Sequence, residues 1–419
     1  MLRRNNMDFA NDNEIRYAHD ILLTGLPDFD NEKVAIIKCN ESKDIKACPG
    51  SGKTTTLLAK LVILAKRMPL LNGKGICVLT HTNVAIDEIK SKLNTQAEVL
   101  FNYPNYFGTI QGFVDKFLTI PYYNSVEKKP LSIIDDERVS IIFNKAFASK
   151  TTKELKLILE QIKDRIPKDL TKKNWWKAVK DEQKKFLFNS YYDVDTKKYY
   201  REYGAPKALV GNQATPTFQL FDTTRGIAIK EGVLKYEDAF SYAIAYAKQC
   251  EKLKEAIPER FCYLFIDEMQ DTNNIQYDLI GMLFDSSKII VQRFGDPHQS
   301  IFEHGKMKWE PNNTALSINM SNRFGDNIAE ILKTVCEKDN QSLRGNEKIF
   351  SLKPILLVYD EPQKVLPHFA KLVKERTING KTILEIANEL RQKDHPNKPQ
   401  IKAIGWVGKD NGKGLCKIN

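Results

Sequence analysis

Residues 47–54 read Ala47-Cys48-Pro49-Gly50-Ser51-Gly52-Lys53-Thr54. The run follows a strand-like segment, Asp44–Cys48, and leads into an apolar helical one, Leu57–Leu64. That strand–turn–helix order is the setting a phosphate-gripping loop requires. Gly50 and Gly52 let the backbone curl until its N–H groups point inward, and a helix opening near Lys53 adds its positive N-terminal end. On this reading Ala47, Cys48, Pro49, Gly50, Ser51, Gly52, Lys53, Thr54 and Thr55 wrap the phosphates of ATP. Lys53 reaches the β- and γ-phosphates, and the Thr54 hydroxyl sits on Mg²⁺. The first place of the pattern is Ala rather than Gly, and a glycine-rich turn without a ligand has the same local spelling. The loop therefore needs partners elsewhere in the chain.

One partner is Leu264-Phe265-Ile266-Asp267-Glu268, an apolar strand that ends in two carboxylates. Asp267 is placed to hold Mg²⁺, and Glu268 to polarise an attacking water as general base. A second is Gly295-Asp296-Pro297-His298-Gln299, after the strand-like Lys288–Phe294, where Gln299 is expected beside the γ-phosphate. Each alone also reads as a polar turn. Their order after the loop gives them weight.

Around these segments short β-branched runs alternate with helical patterns. The expected strands are Asp44–Cys48, Gly75–Thr80, Phe107–Ile110, Tyr263–Asp267, Lys288–Phe294, Ala315–Asn319, Pro354–Tyr359 and Ile401–Val407. Such alternation means an α/β fold with a parallel sheet covered by helices. From about Pro121 to Arg260 the rhythm breaks into helical, Lys-rich sequence. Between Lys150 and Lys207 there are 16 Lys and Arg against 9 Asp and Glu. This stretch suits either solvated helix faces or a surface that tracks phosphates. Its aromatics, Trp175, Trp176, Tyr191, Tyr192, Tyr199 and Tyr200, suit either base stacking or core.

Over 419 residues the net charge is +11, which favours a polyanionic partner, nucleic acid first. Seven scattered cysteines without a CxxC pair suggest neither a zinc site nor a disulfide framework. Neither a signal peptide nor a membrane-spanning run is legible, so the expected location is the cytoplasm.

Six segments in order resemble the UvrD/Rep/PcrA group of superfamily 1 DNA helicases: ACPGSGKT (47–54), LTHTNVAIDEI (79–89), GTIQGF (108–113), FIDEMQD (265–271), GDPHQSIF (295–302) and SNRF (321–324). The resemblance implies a RecA-like P-loop NTPase lobe with a helical insert domain and a partial second RecA-like lobe. The expected division is 1–120 and 261–315 for the first lobe, 121–260 for the insert and 316–419 for the second lobe. It implies catalytic roles for Lys53, Asp267, Glu268, Gln299 and Arg323, with Arg323 reaching across to the γ-phosphate. Thr80, Thr82, Asn83, Thr109, Gln111, Phe113 and Phe302 would contact single-stranded or partly duplex DNA. ATP and Mg²⁺ are the implied cofactors, and 3′ to 5′ translocation the implied activity.

The chain departs from that pattern in four places. No Gln precedes the phosphate loop where the group carries its adenine reader. His304-Gly305 stands in place of Trp-Arg, and SNRF in place of NYRS. The group's late Lys-Gly-Leu-Glu and Thr-Arg-Ala segments, the latter an arginine finger, have no counterpart before Asn419. The expectation is a chain that binds ATP, turns it over slowly and needs a continuation or second chain to unwind. Related helicase-like proteins also partner nucleases in bacterial anti-phage systems such as Gabija, which makes an ATP-switched DNA-binding subunit of a nuclease complex the alternative. A phosphate-loop kinase or transporter ATPase is a third reading, against which the GDPHQS element and the threonine-rich 80–83 stand.

Overall fold

The computed structural model describes residues 9–167, 171–299, 309–336, 342–349 and 351–394. The chain divides into two compact units, Met1–Ser351 and Leu352–Asn419. The first is built on a six-stranded sheet: β1 (Lys43–Ala47), β2 (Gly75–Thr80), β3 (Tyr106–Thr109), β4 (Phe261–Ile266), β5 (Ile290–Gly295) and β6 (Leu316–Ile318). Their order is β6-β1-β5-β4-β2-β3, and every pairing is parallel. All six C-terminal ends therefore open onto one edge, where open parallel sheets bind ligands. Six of the eight expected strands appear, each end within two residues of its expected place.

Two assignments move. The strand near Leu316, read as the start of a second lobe, pairs with β1 through Ile45 and Leu316 and completes the first sheet. Pro354–Tyr359 forms no strand among the described residues; Leu356 and Val358 stand exposed, and no described strand offers them a ladder. The expected strand Ile401–Val407 lies outside the described residues.

The sheet is covered on both faces. One face packs on α1 (Asp12–Leu22), α2 (Asn31–Lys38) and α3 (Lys53–Lys66). The ten residues from Thr56 to Ala65 are all buried, so α3 is a central helix without a wet face. Each fully buried Leu, Ile or Val there contributes about 1.5–3 kcal/mol. Among them is Lys60, whose ammonium donates to the carbonyls of Ile36, Ile37 and Cys39 at 3.1, 3.1 and 2.7 Å and lies over the Phe9 ring. Burial pushes this amine down to about 7. The three carbonyls close the C-terminal end of α2, so α3 and α2 are tied through a side chain rather than by packing alone.

The other face takes Phe113, Val114 and Leu118 together with the helices Tyr236–Gln249 and Asn274–Leu283. The first of these helices falls inside the stretch assigned to the insert. Its Phe240, Ala243, Ile244 and Ala247 nevertheless belong to the same apolar cluster as Leu79, Leu264 and Ile266, so its core is continuous with that face of the sheet. Between Ile120 and Leu234 the chain forms mostly helices, among them Asp136–Ala148 and Lys172–Phe188, with two short strand pairs, and it has its own apolar clusters. Tyr199 is core there, Tyr191 joins the apolar cluster on the sheet instead, and Trp176 is half exposed.

In the second unit the helix Val365–Glu375 is followed by the hairpin Thr377–Ile378 / Lys381–Thr382 and the helix Ile383–Asp394. Asn379 and Gly380 carry the positive φ that a two-residue hairpin demands. Thr382 and Glu385 cap the last helix reciprocally.

Candidate active site

The ends of β1, β4 and β5 meet in one cleft, lined by residues 47–55 and by Glu268, Asp296, Gln299 and Arg323. The loop after β1 curls at Gly50 (φ 75°) and Gly52 (φ 87°), both left-handed, and Gly52 is the N-cap of α3. A Cβ on Gly50 would lie 2.4 Å from Cγ of Arg323, so that glycine also admits the arginine. The segment after β6 clasps the loop from outside. The Ser321 hydroxyl donates to the Pro49 carbonyl at 2.8 Å, and the Asn322 N–H to the Gly50 carbonyl at 2.8 Å.

Lys53 forms an ion pair with Glu268 Oε2 and lies 3.2 Å from Asp267 Oδ1. The Thr54 hydroxyl lies 3.4 Å from Asp267 Oδ2. Segments more than 200 residues apart in sequence thus bring the lysine–threonine pair and the aspartate–glutamate pair together. Burial alone would lower the Lys53 pKa, but the two carboxylates outweigh it and leave it raised. Asp267, almost wholly buried, is raised by that burial and by Glu268 despite Lys53. For Glu268 burial also pushes upward, yet Lys53 and the Gln270 amide prevail, and its pKa is lowered. Burial lifts Asp296 to about 6, and lifts the Cys48 thiol, in the loop itself, to about 12.

The arrangement suits a polyphosphate. The loop residues 47–52, the N-terminal turn of α3 and Lys53 line the cleft, and Ser51 Oγ and Asp296 Oδ2 are buried polar atoms without hydrogen-bond partners among the described residues. The Thr54 hydroxyl and the Asp267 carboxylate are hard oxygen donors at one spot. Among the described residues no cluster of three His, Cys, Asp or Glu could hold a metal unaided. A cation taking two protein oxygens and the rest from phosphate and water is the habit of Mg²⁺, so the donor set fits that ion.

Glu268 itself is left-handed (φ 55°), a strained conformation for a residue with a side chain. Gln270, only 2 % exposed, donates to Glu268 Oε2 at 2.7 Å and accepts the Asp296 N–H at 2.9 Å. Sequence reading quotes this residue within FIDEMQD but gives it no role; its place two positions after the acid was the available signal. It also passed over Glu88 and Lys92, an i,i+4 ion pair at the cleft on α4 (Asn83–Leu93).

The expected strand-contact residues separate into two groups. Thr82 and Asn83 are exposed at the start of α4, Thr82 as its N-cap. Thr109 caps the helix Ile110–Val114, and Gln111 donates to Asp115 at 2.7 Å, both partly accessible. Two others are corrected. Thr80 is 1 % exposed and its hydroxyl is spent on the Thr82 carbonyl at 3.0 Å. Phe113 is 2 % exposed, edge-on to Tyr106 and beside Phe284 in the core. An apolar ring between a sheet and its covering helices is out of a ligand's reach. Phe302 lies outside the described residues.

Residues 30–309 match the family model described as the UvrD/REP helicase N-terminal domain. The chain is similar to a probable DNA helicase II homolog of Mycoplasma capricolum, 24% identical over 77% of this chain and 40% of that protein. It is similar to the ATP-dependent DNA helicase Rep of Buchnera aphidicola, 27% identical over 65% of this chain and 37% of the relative. With DNA helicase II of Escherichia coli it shares 24% identity over 67% of this chain and 35% of the relative. The chain thus spans well under half the length of these curated relatives.

Proposed function

The chain belongs to the UvrD/Rep helicase family, and from that premise we propose that it binds and hydrolyses ATP and couples this to movement on single-stranded DNA in the cytoplasm. The observation that carries the reading is the cleft in which Lys53 and Thr54 meet Asp267 and Glu268.

In that reading the terminal phosphates of ATP draw Lys53 away from Glu268. Losing its counterion raises the basicity of the half-buried carboxylate just as the substrate arrives. Glu268 then accepts a proton from a water whose oxygen bonds to the γ-phosphorus. The bond from that phosphorus to the β–γ bridging oxygen breaks, and its electron pair departs with ADP. Thr54 and Asp267 would hold Mg²⁺, which would supply neutralising charge to the phosphates. Arg323 and Gln299 face the same space and are assigned to the γ-phosphate. Thr82, Asn83, Thr109 and Gln111 are assigned to the DNA strand, with 3′ to 5′ movement as the family resemblance implies.

The test is ATP hydrolysis by the chain with and without single-stranded DNA. Stimulation by DNA, lost about a hundredfold or more in Glu268→Gln, is the expected result. Hydrolysis that ignores both DNA and this substitution would overturn the reading.

A further inference from the structure

We propose that Gln270 is a positioning residue: it fixes the Glu268 carboxylate and ties it to the loop that carries Asp296 and Gln299. The inference rests on Glu268 as the base. Lys53 and Gln270 share the same oxygen, Glu268 Oε2. Once a phosphate claims the lysine, the Gln270 N–H is the remaining described donor on that oxygen. The other end of the same amide accepts the Asp296 N–H, and the next loop hangs from Asp296: its carboxylate accepts the His298 N–H at 3.0 Å and its carbonyl the Gln299 N–H at 3.0 Å. A shift at Gln299 therefore reaches Glu268 through one side chain. Gly295 makes the approach possible, since a Cβ there would lie 2.8 Å from Gln270 Oε1 and 2.6 Å from the Trp309 ring.

A carboxamide meets both demands through separate atoms, a donor toward a carboxylate and an acceptor toward an N–H. Gln270→Glu keeps the acceptor but sets a like charge against Glu268. Gln270→Met loses both bonds. Gln270→Asn keeps the chemistry one methylene short. The experiment measures kcat and KM separately for DNA-stimulated hydrolysis by the full chain and these three variants, with thermal melting as the check on folding. All three variants should lose about tenfold or more in kcat with KM for ATP nearly constant, because the base is displaced while the phosphate contacts stay. A Gln270→Met chain that melts normally and keeps kcat within about twofold of wild type would overturn the inference while leaving Glu268 as the base. If Gln270→Met and Gln270→Glu fail to melt cooperatively, an unchanged kcat in Gln270→Asn overturns it instead. A wild-type chain without hydrolysis removes the base assignment itself, and with it this one.

Discussion

Two loop systems lie along the same edge of the sheet and are built on different plans. In the cleft at β1, β4 and β5, groups are cross-linked to partners from remote segments: the Lys53 side chain to Asp267 and Glu268, the Gln270 side chain to the Asp296 N–H, and the Asn322 backbone N–H to the Gly50 carbonyl. After β2 and β3, Thr82 and Thr109 make only local cap bonds, and Asn83 stands in solvent. A small, highly charged ligand needs donors and acceptors already in place, because each misaligned group is costly in a desolvated site. A polymer strand needs reachable polar groups spread over a surface, and the cap positions of two helices supply them without disturbing the core.

The contrast is sharpened most by Lys53→Ala. It should reduce hydrolysis by about two orders of magnitude or more, while single-stranded DNA still binds in the absence of nucleotide; equal loss of both would erase the distinction between the two systems. Next come Phe113→Ala and Asn83→Ala. The first should cost about 3–5 kcal/mol of stability, as a core phenylalanine does; the second should leave the melting temperature within about a degree or two, as exposed substitutions do, and weaken strand binding. A Phe113→Ala chain that melts normally but loses DNA would return that ring to the contact surface. A smaller effect is expected from Asp296→Asn. The folded pKa of about 6 lies above the unfolded value, so the folded state binds the extra proton. Stability therefore falls as pH rises from about 4 to 6 and is level beyond. The variant should gain about 1–3 kcal/mol over wild type at pH 8 and nothing at pH 3.5, in melts at the two pH values. Smallest per residue is the salt response: strand affinity should decline steadily between low and physiological salt, each phosphate contact adding about 0.7 to the logarithmic slope. A flat response would detach the +11 net charge from DNA altogether.

The sheet and the cleft were legible because their signals are local and stereochemically narrow. Gly50 and Gly52 announce left-handed backbone, and two acids after an apolar strand announce a strand end. Position on a motif, by contrast, does not report side-chain direction. Thr80 and Phe113 sit in the same short segments as Thr82 and Gln111, but the pleat and the following helix turn them inward. The apolar run at Pro354–Tyr359 has strand composition, yet a strand exists only with a neighbour to complete its hydrogen bonds. Helix Tyr236–Gln249 was hidden in the insert because a helical pattern does not name the surface it packs on. Gln270 was quoted in its motif without a role, since its importance lies in an amide reaching a loop 26 positions later.

The strand order has a consequence for how the chain is made. β1 lies between β5 and β6, and the Asp44–Arg293 bond joins residues 249 positions apart. On a ribosome adding about 5–20 residues per second, the phosphate-loop strand waits roughly ten to fifty seconds for both of its sheet neighbours. A nascent chain stalled in that interval presents both edges of this strand unpaired, which makes it a natural client for chaperones.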